Sequence, residues 1–172
     1  MDFLTLAKKR HSTRKYKDTK IEKEKLDLIL EAGRVAPTAN NQQPIKILVI
    51  ESDEAKAKLN RCAKTFDAPL VLMICANKEQ AWQRSYDNMV TTDIDASIIT
   101  DHMMLEATAL GLGSLWICWF KPEVIKAEFN LPNNLIPINL LAIGYSDSPE
   151  KAIDRHSQTR KDINELVSYN KL

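Results

Sequence analysis

The sequence predicts an α+β fold, a central mixed or antiparallel sheet flanked by helices. Three observations carry that prediction. Four strand-like apolar runs are separated by helical segments without the strict alternation of βαβ units. The longest helical signal, residues 93–110, is apolar almost all the way round, the pattern of a helix in a core or at a subunit interface. The run 69–76 (PLVLMICA) is nearly unbroken in its hydrophobicity, which suits a strand covered on both faces.

Taken in order, a short helix is expected over residues 3–9 and a second over 22–35, where Leu26, Ile29 and Leu30 share a face. Pro37 closes it, and 37–44 (PTANNQQP) has the composition of a loop. A strand follows at 45–50 (IKILVI), a charged helix near 54–61, and then the covered strand. In the helix at 93–110, Ile94, Ser97, Ile98, Asp101, Leu105, Thr108 and Ala109 trace one stripe, which Ile99, Met103, Met104 and Leu110 widen. His102 in this helix reads as a buried, satisfied histidine, and Asp93 and Asp95 as carboxylates favourable at a helix N-terminus. Gly111 and Gly113 end the helix. An apolar run at 114–120, a short helix opened by Pro122 and a last apolar run at 136–144 follow. The tail after Tyr145 has little apolar content until Ile163, Leu166 and Val167, so it either frays or leans on another surface.

Composition narrows the function classes. A chain of 172 residues is the size of one domain, and its 44% hydrophobic and 27% charged residues argue against disorder. The net charge of +1 gives the whole molecule no field that favours nucleic acid or a membrane surface. No apolar run approaches the roughly 18 residues of a membrane span. The N-terminus places its charges after a short apolar patch, so no export signal is read. Cys62, Cys75 and Cys118 form an odd set without metal-ligand spacing, with Cys75 and Cys118 in apolar runs, and a reducing cytoplasm fits them best.

Two segments carry chemistry. In Arg10-His11-Ser12-Thr13-Arg14, two guanidiniums flank hydroxyls that add neutral donors, a pattern suited to a phosphate. Residues 8–25 hold nine lysines and arginines, so this run by itself also reads as a solvated basic face. A nucleic-acid surface would want aromatic platforms, and only Tyr16 is available. The loop Thr38-Ala39-Asn40-Asn41-Gln42-Gln43-Pro44 sets four carboxamides in a row, each both donor and acceptor, able to match the pyrimidine edge of a flavin. A polar loop with Asx turns is the alternative.

In order along the chain, RHSTRKYKD, AGRVAPTANNQQP, the helix running into ALGLGSLWI, and LLAIGYSDSP resemble the FMN-dependent nitroreductase family, at family-like spacing over nearly the whole chain. The resemblance implies one FMN-binding domain over residues 1–172, working as an intertwined homodimer with FMN at the subunit interface. It further implies a cytoplasmic oxidoreductase that passes electrons from NADH or NADPH to a small acceptor, such as a nitroaromatic or quinone, by a ping-pong route. No nucleic acid, membrane or metal is expected. Arg10 and Ser12 match positions that hold the FMN phosphate and ribityl chain, with His11 beside them. Arg14 matches a basic position near N1 and O2 of the ring, where two-electron reduction leaves negative charge. Thr38, Asn41 and Gln43 match a loop that reaches the partner subunit's cofactor. Arg160 matches the late arginine that returns to the phosphate, with Arg155 as the alternative. Ser114, Leu115 and Trp116 match backbone beside the ring. No catalytic side chain is implied, because the flavin does the chemistry.

The chain departs from the family pattern at Ile45, where an aromatic residue is common, and at Cys118-Trp119-Phe120, where a glycine-rich turn is common. Trp119 is therefore a candidate wall of the substrate pocket, with ordinary packing as the alternative. No counterpart of the central Lys/Asn segment is evident. A specialised relative, such as a reductive dehalogenase or flavin-processing enzyme, would share fold and cofactor. A non-enzymatic binder of nucleic acid or an acidic partner would leave the carboxamide loop without a purpose.

Overall fold

A computed structural model describes residues 1–172. Helix α1 (Phe3–Lys9) and helix α2 (Lys23–Val35) precede strand β1 (Ile45–Ile50), helix α3 (Asp53–Asn60) and strand β2 (Leu70–Asn77). Helix α4 (Thr92–Ala109), strand β3 (Gly113–Ile117), helix α5 (Pro122–Glu128) and strand β4 (Leu135–Gly144) follow, and the tail carries short helices α6 (His156–Thr159) and α7 (Ile163–Leu166). The four strands form one sheet in the order β1-β2-β4-β3, and every pairing is antiparallel.

The apolar runs explain that order. Strands β2 and β4 lie at the centre, where both faces are covered, and all of β2 up to Ala76 is buried. On one face Leu70, Leu72, Ile74, Leu141 and Ile143 meet Ile99, Met103 and Ala107 of α4, with Ile29 of α2 behind them. On the other, Val71, Met73, Leu140 and Ala142 meet Leu59 of α3 and Ile125 of α5. Burying an aliphatic side chain of this size stabilises by about 1.5–3 kcal/mol. Side-chain caps set the starts of α1 and α3: Asp2 accepts the Thr5 N–H (3.0 Å) and Ser52 accepts the Ala55 N–H (3.2 Å).

The segment after α1 runs along the β3 edge. Ser12 bridges in parallel to Ser114, Thr13 N–H donates to the Ser114 carbonyl (2.9 Å), and Tyr16 bridges to Ser146 beyond β4. This close approach depends on two glycines. A Cβ at Gly113 would lie 2.6 Å from Thr13 Oγ1, and one at Gly144 would lie 2.8 Å from Tyr16 Cδ1. We expect Gly113→Ala to lower stability by about 1–3 kcal/mol, the usual cost of forcing a methyl into filled space. An unchanged thermal midpoint in that variant would show that the segment is not held against the strand.

Two sequence expectations are corrected. Strand β3 stops at Ile117, so Cys118 is exposed and Trp119, 90% exposed, stands outside the sheet instead of extending the apolar run. The stop coincides with the chain leaving for the Ala63–Phe120 bridge and then α5. His102 is exposed on α4, its Nδ1 2.9 Å from the Ile98 carbonyl, because the helix turns that face away from the sheet while Met103 and Met104 face in. The tail does both things expected of it: Arg155 and His156 lean on the Arg10 and Lys8 carbonyls at the end of α1, whereas Ile163, Leu166 and Tyr169 are 64%, 65% and 84% exposed. No helix is long and apolar enough to cross a membrane.

Candidate functional site

The antiparallel sheet places the two chemistry-bearing segments at diagonally opposite corners. The carboxamide loop leads into Ile45, which pairs with Ala76 at one end of β2. Ser12 lies against Ser114, which pairs with Ile143, and Ile143 pairs with Leu70 at the other end of β2. From Leu70 to Ala76 is about 20 Å along the strand, and β1 to β3 is about 14 Å across the sheet. No side chain of one segment reaches the other.

At the β3 corner the arginines converge. Arg10 closes α1, its N–H donating to the Leu6 carbonyl, and Arg155 Nη2 donates to the Arg10 carbonyl (2.7 Å). Burial holds the Arg10 guanidinium below its ordinary pKa, the repulsion of Arg160 and then Arg155 adds to the effect, and Asp101 partly offsets it. Like charges are crowded here without enough carboxylate to neutralise them, which is the electrostatics of an anion site. Arg155 spends its guanidinium on the carbonyls of Ala152 and Arg10, whereas Arg160 is exposed beside the same cluster. His11 is half-buried, with Nδ1 3.2 Å from the Lys9 carbonyl and a buried Nε2 that has no partner, so it is not the solvated side chain a basic face would carry. Thr13 Oγ1 and Ser114 Oγ are likewise buried without partners. Ser12 is exposed.

Arg14 points the other way along the same segment. Its guanidinium lies 6.0 Å from the Phe66 ring, and the Lys64 amine lies 4.9 Å from that ring, so the loop before β2 joins this corner. The sequence reading passed over Lys64 and Phe66. Phe66 and Asp67 both have left-handed backbone (φ 58° and 55°), a turn no glycine announces.

Ser114 and Leu115 are buried, so they offer the edge backbone and not side chains. Trp116 donates from Nε1 to Asn139 Oδ1 (2.8 Å), and Asn139 Nδ2 donates to Thr100 Oγ1 (3.3 Å), which ties β3, β4 and α4 together beneath the corner. Neither Asn139 nor Thr100 stands out in sequence.

At the opposite corner the carboxamide loop is strained and pinned. Asn40, Asn41 and Gln43 all have positive φ (50°, 53° and 51°), and their side chains are exposed. Asp95, fully buried in the first turn of α4, accepts the Ala39 N–H (2.8 Å) on one oxygen and the Thr91 hydroxyl (2.9 Å) on the other. Thr38 Oγ1 accepts the Gln43 N–H (3.0 Å). Asp95 is thus more than a favourable helix-end charge: it positions the loop. Its partner is 56 residues away, so no spacing rule reveals it.

The cysteines separate clearly. Burial pushes the Cys75 thiol up to about 11, and burial, with Glu128 adding, raises Cys62. At neutral pH, Ellman's reagent should titrate Cys118 alone in the folded chain and all three thiols in denaturant. Rapid reaction of all three in the native protein would contradict this placement. No group of histidines, cysteines and carboxylates could hold a metal ion.

Fold and site together define an α+β protein with a cationic, anion-accepting corner and a remote carboxamide loop. The comparisons place it more closely. Residues 7–64 and 56–145 match the Nitroreductase family. A nitroreductase family protein from Clostridium difficile 630, solved by crystallography, superposes with a TM-score of 0.98 at 49% identity, covering 100% of both chains. An FMN-dependent nitroreductase from Clostridium difficile R20291 gives 0.82 at 30% identity over 99% of this chain and 100% of that one. An FMN reductase [NAD(P)H] of Bacillus subtilis is 25% identical over 92% of this chain and 74% of its own length. The chain belongs to the nitroreductase family.

Proposed function

We propose that residues 1–172 form one FMN-binding domain of an oxidoreductase that moves electrons from NADH or NADPH to a small acceptor, such as a nitroaromatic or quinone. The convergence of Arg10, Arg155 and Arg160 beside the unpartnered His11 Nε2 carries this reading, because such a cluster is unfavourable until an anion such as a phosphate joins it. The FMN-dependent and FMN reductase relatives supply the cofactor by name.

FMN, when bound, supplies hydride acceptance from the nicotinamide and two-electron delivery to the acceptor. The chain's own residues bind and orient. Arg10, Arg160, His11 and Ser12 hold the phosphate and ribityl end, with Arg155 securing the Arg10 backbone. Arg14 sets a fixed cation at the pyrimidine edge, where it stabilises negative charge, and Lys64 stands close by. The backbone of Ser114, Leu115 and Trp116 lies along the ring, and Trp119 borders the acceptor side. Thr38, Asn41 and Gln43 sit too far from their own chain's arginines to share one ligand with them, so they serve the partner subunit's cofactor in a homodimer. The exposed apolar residues of the tail suit the same partner. One slot used in turn by donor and acceptor gives ping-pong kinetics, and the three free thiols fit a cytoplasmic home.

The test is an absorbance spectrum of the purified protein before and after anaerobic NADH or NADPH, with its molecular mass measured on the same sample. A flavin spectrum that bleaches, at the mass of a dimer, is expected. Flavin that stays yellow with both nicotinamides would assign the chain to a specialised relative fed by another reductant. A colourless protein that takes up no added FMN would overturn the proposal.

A further inference from the structure

Asn139 stands one step beyond the point where the β3–β4 ladder stops. The last pair is Ile117 opposite Leu140, so Asn139 falls opposite Cys118, the first residue to leave the sheet. Cys118 and Trp119 make no backbone hydrogen bond, and a strand end of that kind frays unless side chains hold it. Asn139 supplies the hold. Its Oδ1 accepts the Trp116 Nε1–H (2.8 Å) and the Cys118 thiol (3.6 Å), two side chains on the same face of β3.

The amide has one orientation. Thr100, fully buried on α4, donates its hydroxyl to the Ala96 carbonyl (2.7 Å) and therefore accepts from Asn139 Nδ2 (3.3 Å). A flipped amide would set its NH2 against two donors, the indole and the thiol. A bulge in β4 aims the side chain. Ile74 pairs with Asn139 and Cys75 with Pro137, so Ile138 is the extra residue, beside a proline with no N–H to give the ladder. Asn139 is 3% exposed, in a strand otherwise filled by aliphatic residues. A leucine of similar volume would occupy that space without needing partners, so what the amide adds there is direction.

We propose that Asn139 is a positioning residue of the flavin site: through the Trp116 indole and the Cys118 thiol it fixes the end of β3 before the cofactor binds. The inference rests on the proposed function, in which the backbone of Ser114, Leu115 and Trp116 lies along the ring. A strand end that is already ordered adds no ordering cost to FMN binding.

The test is a double-mutant cycle of Asn139→Leu and Trp116→Phe on flavin-stripped protein. FMN affinity is read by flavin fluorescence, and Tm and amide exchange are measured without FMN. Each single variant should bind FMN about tenfold more weakly, or about 1.4 kcal/mol, the scale of ordering one or two backbone residues on binding. The double variant should also lose about tenfold and not a hundredfold, because both substitutions break the same contact. Exchange at residues 117–119 should quicken in all three. Tm should fall in the single variants and return close to the wild-type value in the double, which leaves neither group unpaired. Recovered Tm with affinity still tenfold down separates positioning from folding. Wild-type affinity in the double variant, or losses that multiply to a hundredfold, would overturn the inference. The wild-type chain keeps the two readings apart. If it takes up no FMN, the oxidoreductase reading fails and the role of Asn139 falls with it. If it binds FMN and the variants bind as tightly, only the role of Asn139 fails.

Discussion

Arg10→Ala should weaken FMN binding about a hundredfold, and the variant should purify nearly colourless. Loss of one charge-assisted, partly desolvated contact to a phosphate removes about 3 kcal/mol, and each 1.4 kcal/mol is tenfold in affinity. The same substitution relieves the repulsion that Arg160 and Arg155 impose on Arg10 in the empty protein. The thermal midpoint of the flavin-free variant should therefore stay level or rise while affinity falls, an opposition that a merely structural arginine would not produce. Arg10→Lys retains the charge but not the planar fork, and should lose about tenfold. Titration of flavin-stripped protein with FMN, read by flavin fluorescence, measures the affinities, and thermal unfolding of the flavin-free proteins measures the midpoints. An affinity unchanged in the alanine variant would move the phosphate away from this corner.

Asp95→Ala carries the largest expected cost in stability. Asp95 is fully buried, and its removal strands the Ala39 N–H and leaves the Thr91 hydroxyl only the Trp82 carbonyl at 3.2 Å. Hydrogen bonds to a charged group contribute about 1.5–3 kcal/mol each, so a net loss of about 3 kcal/mol is expected. In a domain of this size that corresponds to a fall of about 6–12 °C in Tm. The loop it holds contains three non-glycine residues at positive φ, each costing on the order of 1 kcal/mol, so the loop should relax once released. Hydrogen exchange should quicken at residues 38–43 before the sheet is affected. Asp95→Asn keeps one acceptor for the Ala39 N–H and should fall between the alanine variant and the wild type. A Tm and loop exchange unchanged in the alanine variant would remove Asp95 from the positioning role given to it.

Elements with strong periodicity could be read directly. Strand β1 falls at 45–50 as expected, β2 and α4 are displaced by one residue from their expected ranges, and β2 is covered on both faces as its unbroken apolar run implied. Failures of reading have one source, contacts distant in sequence. Apolar content alone extended β3 to Phe120, but the strand ends at Ile117, opposite Leu140, where the chain leaves for the Ala63–Phe120 bridge while β4 runs on beside β2 to Leu135. His102 shares an apolar helix with Met103 and Met104, and only packing shows which face meets the sheet.

The sequence by itself determined the elements, the antiparallel-compatible arrangement of helices and strands, and the residue types at both chemical segments, because periodicity and donor-acceptor chemistry are local properties. Only the tertiary structure decided that Arg10, Arg155 and Arg160 share one corner, that Lys64 and Phe66 join Arg14, and that the carboxamide loop stands at the diagonal corner pinned by Asp95. Distances of that kind follow from strand order and register, and the order β1-β2-β4-β3 is set by which runs must be buried on both faces. That requirement belongs to the whole core and to no segment of it.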